Sequence, residues 1–196
     1  RPLCLGAAGS LGTPNAIAAA FAMGAGFVLN GSVHQACVEA GISTTVKEML
    51  AQAAIDDVAM TPSADMFELG AQVQVLKRGT MMSARGNRLL QLYRQYDAIE
   101  EIPKATRREL EETIFGKPLN EIWEETQRFF ATVEPQQIER AHDNPKHKLA
   151  LICRWYLGHS SRWPISDCQQ RRTDYQIWTG PAIGAFNSWV SGSFLE

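Results

Sequence analysis

The first part of the chain alternates between short apolar runs and turns of small residues. Residues 3–8 (LCLGAA) and 26–32 (GFVLNGS) are apolar runs of the kind that form buried strands. Between them, Thr13 can cap a helix, Pro14 suits its first position and Gly24 can end it. A strand, a helix and a strand within roughly thirty residues predict a βαβ unit with parallel strands.

Beyond this unit the pattern becomes less regular. Residues 33–41 (VHQACVEAG) predict one or two helical turns, and residues 43–54 predict a helix capped by Ser43 or Thr44. Residues 56–65 (DDVAMTPSAD) are polar and predict a connection without regular structure. Residues 66–79 (MFELGAQVQVLKRG) fit either a strand over QVQVL or a helix broken at its glycine, and both interpretations stay open.

The remainder, from Gly79 onward, predicts helices. Leu89, Leu90 and Leu92 share one face of the first of them, and later helices begin at or after prolines. The aromatic residues are assigned to the core of this helical part: Trp123, Phe129, Phe130, Trp155, Tyr156 and Trp189. The predicted fold class is therefore α/β, with an α/β segment over residues 1–58 and a helical domain over residues 59–196.

Composition narrows the possible functions. The chain has 196 residues and a formal net charge of -2, so no basic excess points to nucleic acid or to an anionic membrane. The four cysteines, Cys4, Cys37, Cys153 and Cys168, are widely spaced. They predict neither a zinc site nor a disulfide framework, and the expected location is the cytoplasm.

Two glycine-containing turns offer the first chemistry. One spans Gly9–Gly12 and the other Asn30–Ser32, and each follows a predicted parallel strand. Backbone N–H groups at such turns can donate to a phosphate, and (β/α)8 barrels often build phosphate sites from two neighbouring turns and a short helix. From spacing alone, a phosphate site and a plain pair of βα turns are both possible.

Several stretches resemble a known family. Residues 7–41 are similar to the last βα units of FMN-binding TIM barrels, the (β/α)8 barrels of the nitronate monooxygenase and enoyl reductase type. Residues 65–80, 144–162 and 174–190 resemble the trans-acting enoyl reductases of polyunsaturated fatty acid and polyketide synthases, the PfaD family. The resemblance covers essentially the whole chain, and its helical part is the more specific.

This resemblance implies a fold, an activity and a set of partners. The chain would be the C-terminal part of an FMN-binding TIM barrel, followed by helices that cover the barrel mouth. The enzyme would use FMN and NADPH to reduce 2-enoyl thioesters on acyl carrier protein domains of a synthase, as a flavoprotein that forms a homodimer. The missing barrel strands and the catalytic residues are expected before Arg1, on the same or another chain.

The resemblance also assigns residues to the cofactor. These are the residues expected to bind FMN: Gly9, Ser10, Leu11, Gly31, Ser32 and Gln35. Two positions depart from the family pattern, since Ser10 replaces a second glycine and His34 replaces a frequent asparagine. Ser10 would need a negative φ or some strain.

Alternative interpretations remain. The chain could belong to a different FMN oxidoreductase, such as a nitronate monooxygenase, or could be a non-catalytic helical module that docks synthase partners. Basic residues that could meet a carrier protein or simply face solvent are Lys77, Arg78, Arg85 and Arg88.

Overall fold

The computed structural model describes residues 3–194. Within this range the strands are β1 (Gly6–Ala8), β2 (Phe27–Leu29), β3 (Val58–Pro62) and β4 (Gln72–Leu76). The helices are α1 (Pro14–Ala22), α2 (Thr44–Ala51), α3 (Met82–Gln95), α4 (Lys104–Leu110), α5 (Leu119–Val133), α6 (Gln136–Asp143), α7 (Pro145–Ser166) and α8 (Ala182–Val190). Shorter 3-10 turns lie at Val33–Ala36, Ile99–Glu101 and Gln169–Asp174, and a π-helical turn at Glu111–Phe115 continues α4. No helix in this range is both long and apolar enough to cross a membrane.

The described residues form two compact units. The first consists of residues 3–60, 73–83 and 161–194, and the second of residues 61–72 and 84–160. The first unit is therefore built from three separate segments of the chain. A division at a single boundary near residue 58 differs from this arrangement. The assignment of residues 1–58 to a barrel segment and 59–196 to a helical cover remains a prediction.

The βαβ unit of the sequence analysis is present. β1 and β2 pair in parallel, with Ala7 opposite Val28. The Thr13 hydroxyl caps α1 by accepting from the amide of Ala16 at 3.3 Å, and Gly24 follows the helix with φ +97°. The parallel pair and the helix ends are thus confirmed.

The expectation that these two strands are buried is wrong. Phe27 and Leu29 of β2 are 49% and 63% exposed, Gly6 and Ala8 of β1 are exposed, and Leu5, just before β1, is 73% exposed. β1 and β2 form a sheet of two strands among the described residues, so their apolar side chains lack a second layer to pack against. An exposed apolar surface of this kind marks a place where further protein can pack.

The core of the first unit lies elsewhere. Its buried residues come from α2, β4, the segment around residue 176 and α8, and they are Val46, Met49, Leu50, Ala53, Leu76, Tyr175, Ile177 and Ile183. Ser43 caps α2, as one of the two predicted caps, by accepting from the amide of Val46 at 3.4 Å. The side-chain amide of Asn187 closes the other end by donating to the carbonyls of Leu50 and Ala53 at 2.8 and 2.9 Å.

The prediction of an irregular connection over residues 56–65 is wrong. β3 occupies Val58–Pro62 and pairs with β4. The backbone amide of Ser63 donates to the carbonyl of Ala71 at 2.9 Å, and the backbone amide of Lys77 donates to the carbonyl of Asp57 at 2.9 Å. The strands are therefore antiparallel. The aspartates before β3 and the proline at its end are typical of a loop, so the sequence does not predict this strand. The alternating QVQVL run forms a strand, which is one of its two interpretations.

The second unit is helical, as predicted. Leu89, Leu90 and Leu92 are at most 4% exposed, and Tyr156 is fully buried. The assignment of Phe129 and Trp189 to a helical core is wrong, since they are 45% and 46% exposed and Trp189 belongs to the first unit. The ring of Phe129 meets that of its neighbour Phe130 edge to face, with the centroids 5.1 Å apart.

Candidate functional site

The two glycine-containing turns lie side by side. Because β1 and β2 are parallel and Ala8 lies opposite Leu29, the carboxyl ends of both strands lie at the same edge of the sheet. Beyond it, the side-chain amide of Asn30 donates to the carbonyl of Leu11 at 2.7 Å and ties the second turn to the first. The adjacency that a shared phosphate site requires is therefore present.

The first turn has an unusual backbone. Gly9 has φ +93° and Ser10 has φ +53°, so a serine occupies the left-handed region. That conformation costs a non-glycine residue about 1 kcal/mol. The amide of Gly12 then donates back to the carbonyl of Ser10 at 3.0 Å, which closes the turn at Leu11. The strain expected from the serine replacement is thus present in the turn.

The second turn leads into the short 3-10 segment Val33–Ala36. The amide of His34 donates to the carbonyl of Gly31 at 3.1 Å, and the amide of Gln35 to that of Ser32 at 3.3 Å. These bonds orient the turn carbonyls along the 3-10 axis, so Gly31 and Ser32 lie at its amino end. The side chain of His34 is exposed.

The backbone of both turns can be approached from outside. A Cβ atom built on Gly9 or on Gly31 would meet nothing within 4 Å. Gly9 and Gly31 are also exposed. The backbone at these two glycines is therefore open to solvent, and the turn sequences contain no carboxylate that would repel an anion.

A third segment meets both turns, and sequence reasoning missed it. The amide of Gly180 donates to the hydroxyl of Ser32 at 2.9 Å, and the side-chain amide of Gln35 donates to the carbonyl of Trp178. A Cβ on Gly12 would lie 2.2 Å from the carbonyl oxygen of Ala182, so only glycine fits there. In the sequence the Gly-Pro pair signals only the start of α8, because nothing there links residue 180 to residue 32.

Two buried side chains, Cys153 in the second unit and Tyr175 in the first, do not offer a nucleophile. Burial raises the pKa of the Cys153 thiol to about 12, so it stays protonated at neutral pH. Burial, reinforced by the charge of Asp167, likewise raises the pKa of Tyr175 to about 12. Within residues 3–194, no group of histidine, cysteine and carboxylate side chains is arranged to hold a metal ion.

The basic candidates are partly engaged within their own units. Arg78 contacts Asp57 at 3.2 Å in the first unit. The Ala54 amide, which donates to Asp57, and the nearby arginine lower the pKa of that carboxyl despite its partial desolvation. Arg88 in the second unit donates to Gln91 at 3.4 Å, and Lys77 is exposed. Of the four cations that could meet a carrier protein or face solvent, Lys77 and Arg78 are exposed, and Arg78 is paired with Asp57.

Comparisons with known proteins support a relation to polyketide and polyunsaturated fatty acid synthases, which is the broader part of the resemblance. Residues 96–175 match the family described as "[Acyl-carrier-protein] S-malonyltransferase, inserted helical domain". The chain is 50% identical to the polyketide biosynthesis protein ThaF of Burkholderia thailandensis over 98% of its own length and 16% of that protein. It is 43% identical to a polyunsaturated fatty acid synthase protein of a Thraustochytrium species over 98% of its length and 13% of that protein.

A solved structure is also similar. The enoyl reductase domain of MlnA from the macrolactin biosynthesis cluster of Bacillus amyloliquefaciens aligns with a TM-score of 0.93 at 40% identity. The alignment covers all of this chain and 44% of that one. The chain is thus homologous to segments of polyketide and polyunsaturated fatty acid synthase proteins and has the mixed α/β fold of part of an enoyl reductase domain. It spans about a quarter or less of the curated relatives' length.

Proposed function

We propose that this chain forms the phosphate-binding end and the helical cover of an FMN-dependent enoyl reductase. The observation that carries the proposal is the pair of open turns, Gly9–Gly12 and Asn30–Ser32, held together at the edge of a parallel pair. The similarity to a solved enoyl reductase domain supports the same reaction class. The exposed apolar surface of β1 and β2 is consistent with further barrel strands packing there.

The proposed phosphate site combines backbone amides of both turns with the side chains of Ser32 and Gln35. Backbone amides of Gly9, Ser10 and Leu11 from the first turn, and of Gly31 and Ser32 from the second, would hold the FMN phosphate. The Ser32 hydroxyl accepts from Gly180, so its own proton is left to donate to the phosphate. Gln35 positions the carbonyl of Trp178 beside the turn. Bound FMN would supply the hydride chemistry of enoyl thioester reduction, with NADPH as the source of the hydride.

The substrate class and partners follow from the relatives. Synthase proteins are among the relatives, so the proposed substrates are thioesters on acyl carrier protein domains, reduced in trans during polyketide or fatty acid synthesis. The proposed assembly is a homodimer in the cytoplasm. Lys77 is the first candidate to meet the acidic surface of a carrier domain, since it is exposed.

The test uses the full-length polypeptide that contains this chain. The purified protein is expected to show flavin absorbance, to lose it on anaerobic addition of NADPH, and to regain it with an enoyl thioester on a carrier protein. A colourless protein that binds no added FMN would contradict the proposal and favour a docking module. A yellow protein that oxidises nitronates but leaves enoyl thioesters intact would favour the other FMN oxidoreductases.

A matched pair of glycine variants locates the phosphate. Gly31→Ala adds a methyl group into open space, so the fold is kept, but the methyl occupies the approach to the proposed phosphate. We expect FMN affinity to fall about tenfold. Gly41→Ala makes the same change at another open position outside the turns, and its affinity should match the parent. Equal FMN affinity in both variants would place the phosphate elsewhere.

A further inference from the structure

Residues 177–182 form a third wall beside the two turns. The segment runs antiparallel to β4, with Leu76 donating to Ile177 at 2.9 Å and Thr179 donating to Gln74 at 3.3 Å. It is joined to the second turn through the bond from Gly180 to Ser32. All of these residues belong to the first unit. This pairing places β4 beside the proposed phosphate site, although β4 is far from the two turns in sequence.

Three polar side chains surround one small space above the Cα atom of Gly180. A Cβ atom built on Gly180 would lie 3.0 Å from Oε1 of Gln74, 3.6 Å from Oγ of Ser32 and 4.0 Å from Oγ of Ser10. The three oxygens come from β4, the second turn and the first turn. The glycine thus keeps open a space that any side chain would fill.

The chemistry of this space suits an anionic oxygen. Both serine hydroxyls can rotate to donate, and a half-turn of the Gln74 side-chain amide exchanges its oxygen for an NH2 group with two donors. None of the three side chains carries a charge, so none repels an anion. Gln74 is exposed, which leaves it free to turn toward a ligand.

We propose that Gln74 is a further cofactor-binding residue, whose side-chain amide donates to the FMN phosphate across the space that Gly180 keeps open. This inference rests on the proposed function, because it takes the phosphate to lie between the two turns. It adds a contact from β4, to a site that the sequence assigns only to residues 9–35.

The test compares FMN with riboflavin, which has the same ring and side chain but no phosphate. Gln74→Glu keeps the size of the side chain and places a negative charge beside the phosphate. In the full-length apoprotein, we expect this variant to bind FMN about tenfold or more weakly, because like charges repel, and to bind riboflavin as the parent does. Quenching of flavin fluorescence measures both affinities without any turnover.

The control is Gln72→Glu, which makes the same change at an exposed position two residues earlier on β4. It should leave the affinity for both flavins within about twofold of the parent, because the side-chain atoms nearest the space above Gly180 come from Gln74, Ser32 and Ser10. An equal loss of FMN and riboflavin in Gln74→Glu would place Gln74 at the ribityl chain or the ring and overturn the inference. If the parent binds FMN more tightly than riboflavin and Gln74→Glu binds FMN as tightly as the parent, the inference is also overturned. A parent that binds neither flavin would instead refute the proposed function itself.

Discussion

Substitution of Gly184 by alanine is expected to lower the free energy of unfolding by about 3 kcal/mol, at the upper end of the usual cost of overpacking. Gly184 lies in α8, where a Cβ atom would come within 2.2 Å of the backbone of Ala54 and of Ile55. Backbone atoms cannot turn aside as the end of a flexible side chain can. The helix must therefore move away from the core that Ile183 helps to form. Urea denaturation of the full-length polypeptide measures the loss.

Gly158→Ala is the matched control for this prediction. Gly158 is also a helical glycine, in α7, but a Cβ atom there would meet nothing within 4 Å. Alanine should therefore stabilise the helix by about 0.5–1 kcal/mol, through its higher helix propensity. If the two variants change stability in the same direction, close packing at Gly184 is not the cause.

His147→Leu is expected to cost about 2 kcal/mol, because it leaves two polar partners without their bonds. The ring is 4% exposed in the second unit. Its Nδ1 lies 2.9 Å from a carboxylate oxygen of Glu68, and its Nε2 lies 2.6 Å from the side-chain oxygen of Gln137. Leucine fills a similar volume but satisfies neither oxygen. Thermal unfolding of the full-length protein would show a lower midpoint.

His142→Leu serves as the comparison. His142 lies five residues earlier, near the end of α6, and its side chain is exposed. Its replacement should change the free energy of unfolding by less than about 0.5 kcal/mol, as for most surface positions. A comparable loss in both variants would show that the contacts of His147 with Glu68 and Gln137 do not stabilise the fold.

Local sequence is sufficient where one element supplies its own signals. Thr13, Pro14 and Gly24 set the ends of α1, and Pro145 begins α7 with Asn144 as its cap. The two glycine turns follow directly from the ends of two short apolar runs. In each case the cause is a residue whose backbone or side-chain preference acts within a few positions along the chain.

The same local signals fail where a partner is needed. The sequence of β3 predicts an irregular connection, because aspartates precede it and a proline ends it. Its pairing with β4 cannot be read from these local residues. The hydrophobicity of Phe129 predicts a core position, yet the face of α5 on which it lies is exposed. Burial depends on what packs against a residue, and composition does not contain that information.

The sequence by itself determined the βαβ unit, the helical character of the later part and the two turns that could receive a phosphate. Only the tertiary structure decided that Asn30 joins those turns and that Gly180 reaches Ser32 across 148 positions. It also brought Gln74 to the same edge. Helix caps and turns are set by interactions between near neighbours, whereas this site depends on segments distant in sequence that the pairing of β4 with residues 177–179 brings together.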